Sequence, residues 1–292
     1  IDTQGWENVR AGSEATSKIT FDLTLGNWHH EQKMDMNDIL YSLYFLQEWG
    51  SEQQQSDNTY DSEYSPQAMQ NAKTLVGIKL IDDDTVEMYV DYWHFDEAEI
   101  AAWAAPWSSM PWEIVAASED AVLDGKVSFS RSGGVSKSVN WLSLIVPNDA
   151  NTIKEHLVEF KETKYVPPSL QDSEHDWQYF EQRYDAAIEW IDKNGHAVIS
   201  NGPFYLDNYS PESRTITIKS FDSTGYPFDA GKWEKFEQIK FPKITDVKIP
   251  NVVDLKKELS VIVHTDNTSA IHYFISNPKG ETVSSGIKSV SN

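Results

Sequence analysis

The chain has 292 residues, no cysteine and a formal net charge of −22. Binding a phosphate backbone needs clustered Lys and Arg, so this charge argues against nucleic acid and against anionic membrane surfaces. The missing cysteines exclude disulfides, thiolate catalysis and thiolate-held zinc or iron–sulfur centres. A content of 39% hydrophobic and 12% aromatic residues belongs to a folding chain. Its richest apolar run, Ile100–Trp107, is too short to span a bilayer. The chain starts at Ile1 without an initiator Met or a signal peptide and reads as a mature fragment or an excised piece.

Residues 1–16 are polar and read as an irregular lead-in. Lys18–Leu25 alternates through Ile19, Phe21, Leu23 and Leu25, which predicts a half-buried strand. Asp35 or Asn37 can cap a helix through Ile39–Trp49, which Gly50 ends. Ser51–Ser65 reads as a surface loop carrying Tyr60 and Tyr64, and Pro66 starts a short helix to about Leu75. Leu75–Leu80 and Thr85–Val90 form a ribbon around Asp82-Asp83-Asp84. Calcium loops alternate their ligands and bend at a Gly, so the three carboxylates read as a solvated hairpin tip.

Glu97–Ala105 and Pro111–Ala121 are predicted helices flanking Pro106-Trp107-Ser108-Ser109-Met110, and Ser132–Ser138 reads as a flexible link. Helices follow over Asn151–Lys161 and Asp176–Asn194, with Pro167-Pro168 breaking the chain between them. Phe204–Asp207 and Thr215–Lys219 form a hairpin over the polar turn Asn208–Arg214. Beyond Phe241 the chain breaks into short alternating runs, Ile244–Ile249, Leu259–His264, Ala270–Ser276 and Thr282–Lys288, with a strong turn at Asn277–Gly280. That spacing predicts a small β-sandwich over 241–292, resembling immunoglobulin-like stalk modules but with few strands for a whole sandwich, after a first domain over 1–240.

Several groups of residues carry possible chemistry. Indole faces stack on sugar rings or apolar side chains and hydroxyls orient a polar ligand, so Trp107, Ser108, Ser109 and Trp112 form a candidate binding turn. The alternative places the tryptophans in the core, and Trp103 falls there. His29-His30-Glu31 lies on an extended segment whose neighbours point apart, which makes it a structural turn rather than a metal site. Asp96, Glu97 and Glu99 suit a helix N-terminus better than a glycosidase pair. The chain carries no nucleophile elbow, P-loop or dinucleotide fingerprint, and no cofactor is expected.

The order Asn201-Gly202-Pro203-Phe204-Tyr205, a Ser-Pro-Glu-Ser turn, a strand and a Gly225-Tyr226-Pro227 exit resembles the "GTGPY" hairpin of family 5 extracellular solute-binding proteins, the peptide, nickel and sugar receptors of ABC importers. Lys18–Asp38 resembles that family's strand, "W/F-H-D-G" turn and "T-A-x-D-V" helix start. Leu75–Val90 resembles its "V-D-D-x-T-V" ribbon, and Phe95–Val115 the helix and Pro-rich segment that follow. The similarity covers roughly residues 15–230. One departure is that His30-Glu31 stands where the family has Asp-Gly.

The resemblance implies an α+β lobe, a mixed sheet with flanking helices of the periplasmic-binding-protein-like type II kind, in which Lys18–Leu25, the ribbon and the 204–219 hairpin share one sheet. It implies that the Trp107–Trp112 turn lines a cleft, with Tyr60 and Tyr64 before a helix facing the same cleft. It also implies an extracellular or cell-surface receptor that closes a second lobe over its ligand and hands it to ABC transporter membrane subunits, without catalysis. No position matches the family's charged ligand anchors. Oligopeptides and oligosaccharides both remain open as ligands, and nickel is disfavoured by the scattered histidines. Two rival readings are a carbohydrate-active hydrolase with an accessory β-sandwich and a cell-surface structural protein without a ligand.

Overall fold

The computed structural model describes residues 6–50, 58–237, 241–250 and 258–290. The chain divides into two compact units, Ile1–Pro227 and Phe228–Asn292. The expected boundary at 240/241 adjoins residues outside the described ones, as do parts of the expected lead-in and of the 51–65 loop.

In the first unit, strand β1 (Ser17–Asp22) pairs antiparallel with β3 (Thr85–Val90), which pairs antiparallel with β2 (Leu75–Leu80), in the order β1-β3-β2. The β2–β3 turn forms as expected: the Asp82 carboxylate accepts from the Thr85 amide at 2.8 Å, an Asx turn that needs no ion. Alternation along β3 buries Val86, Met88 and Val90. This face packs with Leu23, with Ile39 and Leu43 of helix α1 (Met36–Trp49) and with Ala104 of α3 (Glu97–Ala104).

Helix α1 is buried on two sides. Ile39 and Leu43 meet the sheet, while Tyr41 and Trp49 enter a larger core with α4 (Trp112–Leu123), α6 (Pro147–Thr163) and α7 (Trp177–Asn194). That core holds Trp112, Ile114, Ile153, Leu157, Phe180 and Tyr184. Each of these side chains adds about 1.5–3 kcal/mol when fully buried. Inside it the Glu119 carboxylate accepts from Tyr41 Oη at 2.7 Å and Trp49 Nε1 at 2.8 Å; burial pushes this carboxyl up, against those two bonds. Helix α2 (Ser65–Thr74) carries Pro66 in its first turn and packs on α1.

The sequence expectation for the sheet needs correction. The 204–219 region does form a hairpin, β6 (Phe204–Ser210) with β7 (Thr215–Ser220), but as a separate two-stranded ribbon, and the three-stranded sheet is wholly antiparallel rather than mixed. Side-chain anchors hold the ribbon's base in place of a ladder. Tyr205 lies 6.1 Å from the His29 ring and 5.9 Å from Trp190, and His196 Nε2 is 3.0 Å from the Leu206 carbonyl. The expected link at 132–138 is helix α5 (Arg131–Lys137), because Ser130 caps it through the Gly133 amide at 3.1 Å. It joins two-residue strands β4 (Val127–Ser128) and β5 (Asn140–Trp141), which are parallel.

In the second unit the four expected strands form as β8 (Lys243–Lys248), β9 (Ile262–Asp266), β10 (Ala270–Ser276) and β11 (Thr282–Ser289). They pair as two separate ribbons, β8 with β9 and β10 with β11, and no described residue of this unit is buried. A sandwich core between two facing sheets is therefore not formed by the described residues.

Candidate functional site

The turn before α1 positions everything around it. Trp28 N–H donates to the Gln32 carbonyl at 2.9 Å, Glu31 N–H to Trp28 at 2.8 Å, and Met34 N–H to Gly26 at 2.8 Å. Glu31 takes φ +66°, the left-handed backbone that glycine favours. Both histidines of the turn are buried and structural. His29 donates from Nε2 to the Gly202 carbonyl at 3.0 Å and accepts the Ser200 amide at Nδ1, which sets a neutral tautomer. Burial pushes its pKa down.

Below this turn lies a fully buried ionic cluster. Arg183 Nη2 sits 2.6 Å from Asp38 Oδ1 and 2.8 Å from Glu113 Oε2, and all three side chains are almost wholly out of solvent. His30 Nε2 donates to Glu113 Oε1 at 2.7 Å. Asp38 also accepts from Trp28 Nε1, the Trp112 amide and the Asp35 amide, the last closing a capping box with the Asp35 N-cap. Burial alone would raise the Glu113 carboxyl; the Arg183 charge and the His30 bond outweigh it and hold it below the usual range. With its charges paired and shielded from any ligand, this cluster is a foundation. It ties the starts of α1 and α4 to the middle of α7.

On that foundation rests a cleft of about 880 Å³, a size that suits a small ligand. Its walls come from four segments of the first unit: the stretch at Trp6–Val9, the first turn of α1 (Met36, Asn37, Leu40), β2 with its acidic turn, and 169–175. Trp6 Nε1 donates to the Ser169 carbonyl at 3.1 Å, joining two of them. Ser169 Oγ and Ser173 Oγ, both from residues lining the cleft, are buried without a hydrogen-bond partner among the described residues. Such orphans are rare in folded proteins. A neighbouring hollow of about 290 Å³ shares Leu170 and His175 and adds Trp177 and Phe180. His175 stacks on Tyr179 at 3.9 Å.

None of the six site residues read from the sequence lines this cleft. Trp112 is fully buried in the core and donates to Tyr179 Oη at 3.1 Å, which corrects its reading as a ligand contact. Pro111 directs it into the first turn of α4, facing inward. Trp107 and Ser109 are exposed, whereas Ser108 is buried with its hydroxyl donating to the Met110 carbonyl at 2.6 Å. Tyr60 is half-buried, and Tyr64 packs 5.7 Å from Phe45 against the core. Trp103 is half-buried, stacked on Tyr92 at 4.7 Å.

Among the described residues no group of three His, Asp or Glu is placed to hold a metal ion, and no helix is long and apolar enough to cross a membrane. In comparisons with known proteins, the chain matches no protein-family model and no curated protein.

Proposed function

We propose that the chain is a lobe of an extracellular solute-binding protein, which captures an oligopeptide or oligosaccharide and presents it to the membrane subunits of an ABC importer. The observation that carries this reading is the cleft, a concave site lined by apolar Met36 and Leu40 and by two serine hydroxyls, Ser169 and Ser173, without partners among the described residues. A ligand's own polar groups supply the partners those atoms lack. The transporter role rests on the resemblance of the Trp28–Asp38 turn, the 75–90 ribbon and the 204–219 hairpin. Capture of this kind leaves the ligand chemically unchanged.

The test is a thermal-shift screen of the whole chain against linear oligopeptides and oligosaccharides, with each ligand recovered afterwards and weighed by mass spectrometry. At a hundredfold excess over Kd a ligand adds about 2.7 kcal/mol of stability. The receptor reading expects such a shift with the ligand intact. Fragments in the recovered ligand would establish the hydrolase instead, and a screen without any shift would leave the structural protein.

A further inference from the structure

Resting on the receptor reading, we propose that the cleft selects oligopeptides carrying positive charge. Five carboxylates line it, Glu7, Asp82, Asp83, Asp172 and Glu174, contributed by three separate segments. No Lys or Arg is among its lining residues; Lys164, in the adjoining hollow, is the single Lys or Arg lining either, and His175 lines both. Only Asp82 spends its carboxylate on its own turn, on the Asp84 and Thr85 amides. Among the described residues the other four have no hydrogen bond or ion pair with the protein. Charges of one sign gathered in a concave site with apolar walls focus their field on whatever enters. A neutral sugar gains nothing from that field and an anionic ligand is repelled by it.

The choice of a peptide comes from a second feature. Strand β2 is an edge of its sheet, and its residues from Leu75 to Leu80, apart from Lys79, line the cleft. Apart from the Leu75 amide, which donates to the Ala72 carbonyl at the end of α2, its backbone has no hydrogen bond away from β3 among the described residues. An open strand edge accepts an extended peptide as a further strand through main-chain bonds, with side chains of the peptide falling alternately to either face. Ser169, which is 4% exposed and whose hydroxyl has no partner among the described residues, lines the same cleft and offers a polar contact beyond the carboxylates.

The experiment is calorimetric titration of the whole chain with three linear peptides of equal length, carrying lysines, only neutral residues, or glutamates, and with a linear oligosaccharide of similar span. Titrations are repeated with the double variant Asp172→Asn/Glu174→Gln, whose altered residues are both exposed and which should keep the native melting temperature. The expected result at low ionic strength is affinity about tenfold higher for the lysine peptide than for the neutral one, the product of two or three exposed ion pairs. That preference should shrink with added salt and in the double variant. Equal affinity for the three peptides, or a preference unchanged in the variant, overturns the charge selection and leaves the receptor reading standing. Binding of the oligosaccharide alone overturns the peptide. No heat with any of the four overturns both proposals.

Discussion

Arg183 and Asp38 stand 145 positions apart in the chain, yet Nη2 and Oδ1 meet at 2.6 Å with neither side chain measurably open to water. The pair fixes where α1 begins, and α1 begins at the cleft, since Met36 and Asn37, the two residues just before the buried Asp38, line it.

Arg183→Met leaves the Asp38 and Glu113 carboxylates buried against an apolar thioether. Losing one partner of a buried ion pair costs about 3–5 kcal/mol because the remaining charge is uncompensated. Chemical denaturation of the variant should show a loss of that size.

Two histidines should respond to pH with opposite sign. The hydrogen bond from His156 to Asp120 raises the His156 pKa above its unfolded value, against partial burial. Its contribution is therefore complete below about pH 6.5 and is lost as pH rises through the folded pKa. His156→Gln should cost more near pH 6 than near pH 8. Burial lowers the His29 pKa instead, so the unfolded chain takes up that proton first and the contribution of His29 fades as pH falls below about 6.5. His29→Gln should cost less near pH 5 than near pH 7. Melting curves of each variant beside the parent, across that range, check both signs.

Gly50 is required by space and not by backbone angle. Its φ is −96°, open to any residue, but a Cβ there would lie 2.4 Å from the Leu46 carbonyl oxygen and 3.0 Å from the backbone of Ala68 on α2. Gly50→Ala should lose about 1–3 kcal/mol through overpacking. Gly195 is the reverse, with φ +73° and nothing within 4 Å of its added Cβ. Gly195→Ala should cost about 1–2 kcal/mol from left-handed strain. Urea denaturation of both variants, with crystal structures to show whether α2 shifts, separates the two causes.

Much of the local structure was legible because it rests on short-range rules. The β2–β3 ribbon falls on its expected residues, and Asp35, Asp96 and Asp176 each cap the helix that follows. What the sequence concealed is long-range. Nothing in residues 204–219 says whether their edge will find β1, and that decision belongs to contacts with residues outside the hairpin, Tyr205 with His29 and Trp190, and the Leu206 carbonyl with His196. The tryptophans drew attention as ligand contacts because an indole serves a core and a cleft equally well, and Trp112 went to the core. The cleft's Ser169 and Ser173 carry no pattern of their own. Arg183 did leave a signal: it lies on the same helix face as Phe180 and Ala187, three residues after one and four before the other, and a charge on an apolar stripe needs a buried partner.

On the proposed reading, ligand enters the cleft between β2, the start of α1 and the 169–175 segment. Hydrogen exchange read by mass spectrometry, on the whole chain with and without the saturating lysine peptide, tests it most directly. Slowed exchange is expected in 36–40, 75–83 and 169–175, with 103–112 unchanged. Protection confined to 103–112, around Trp107, would contradict it.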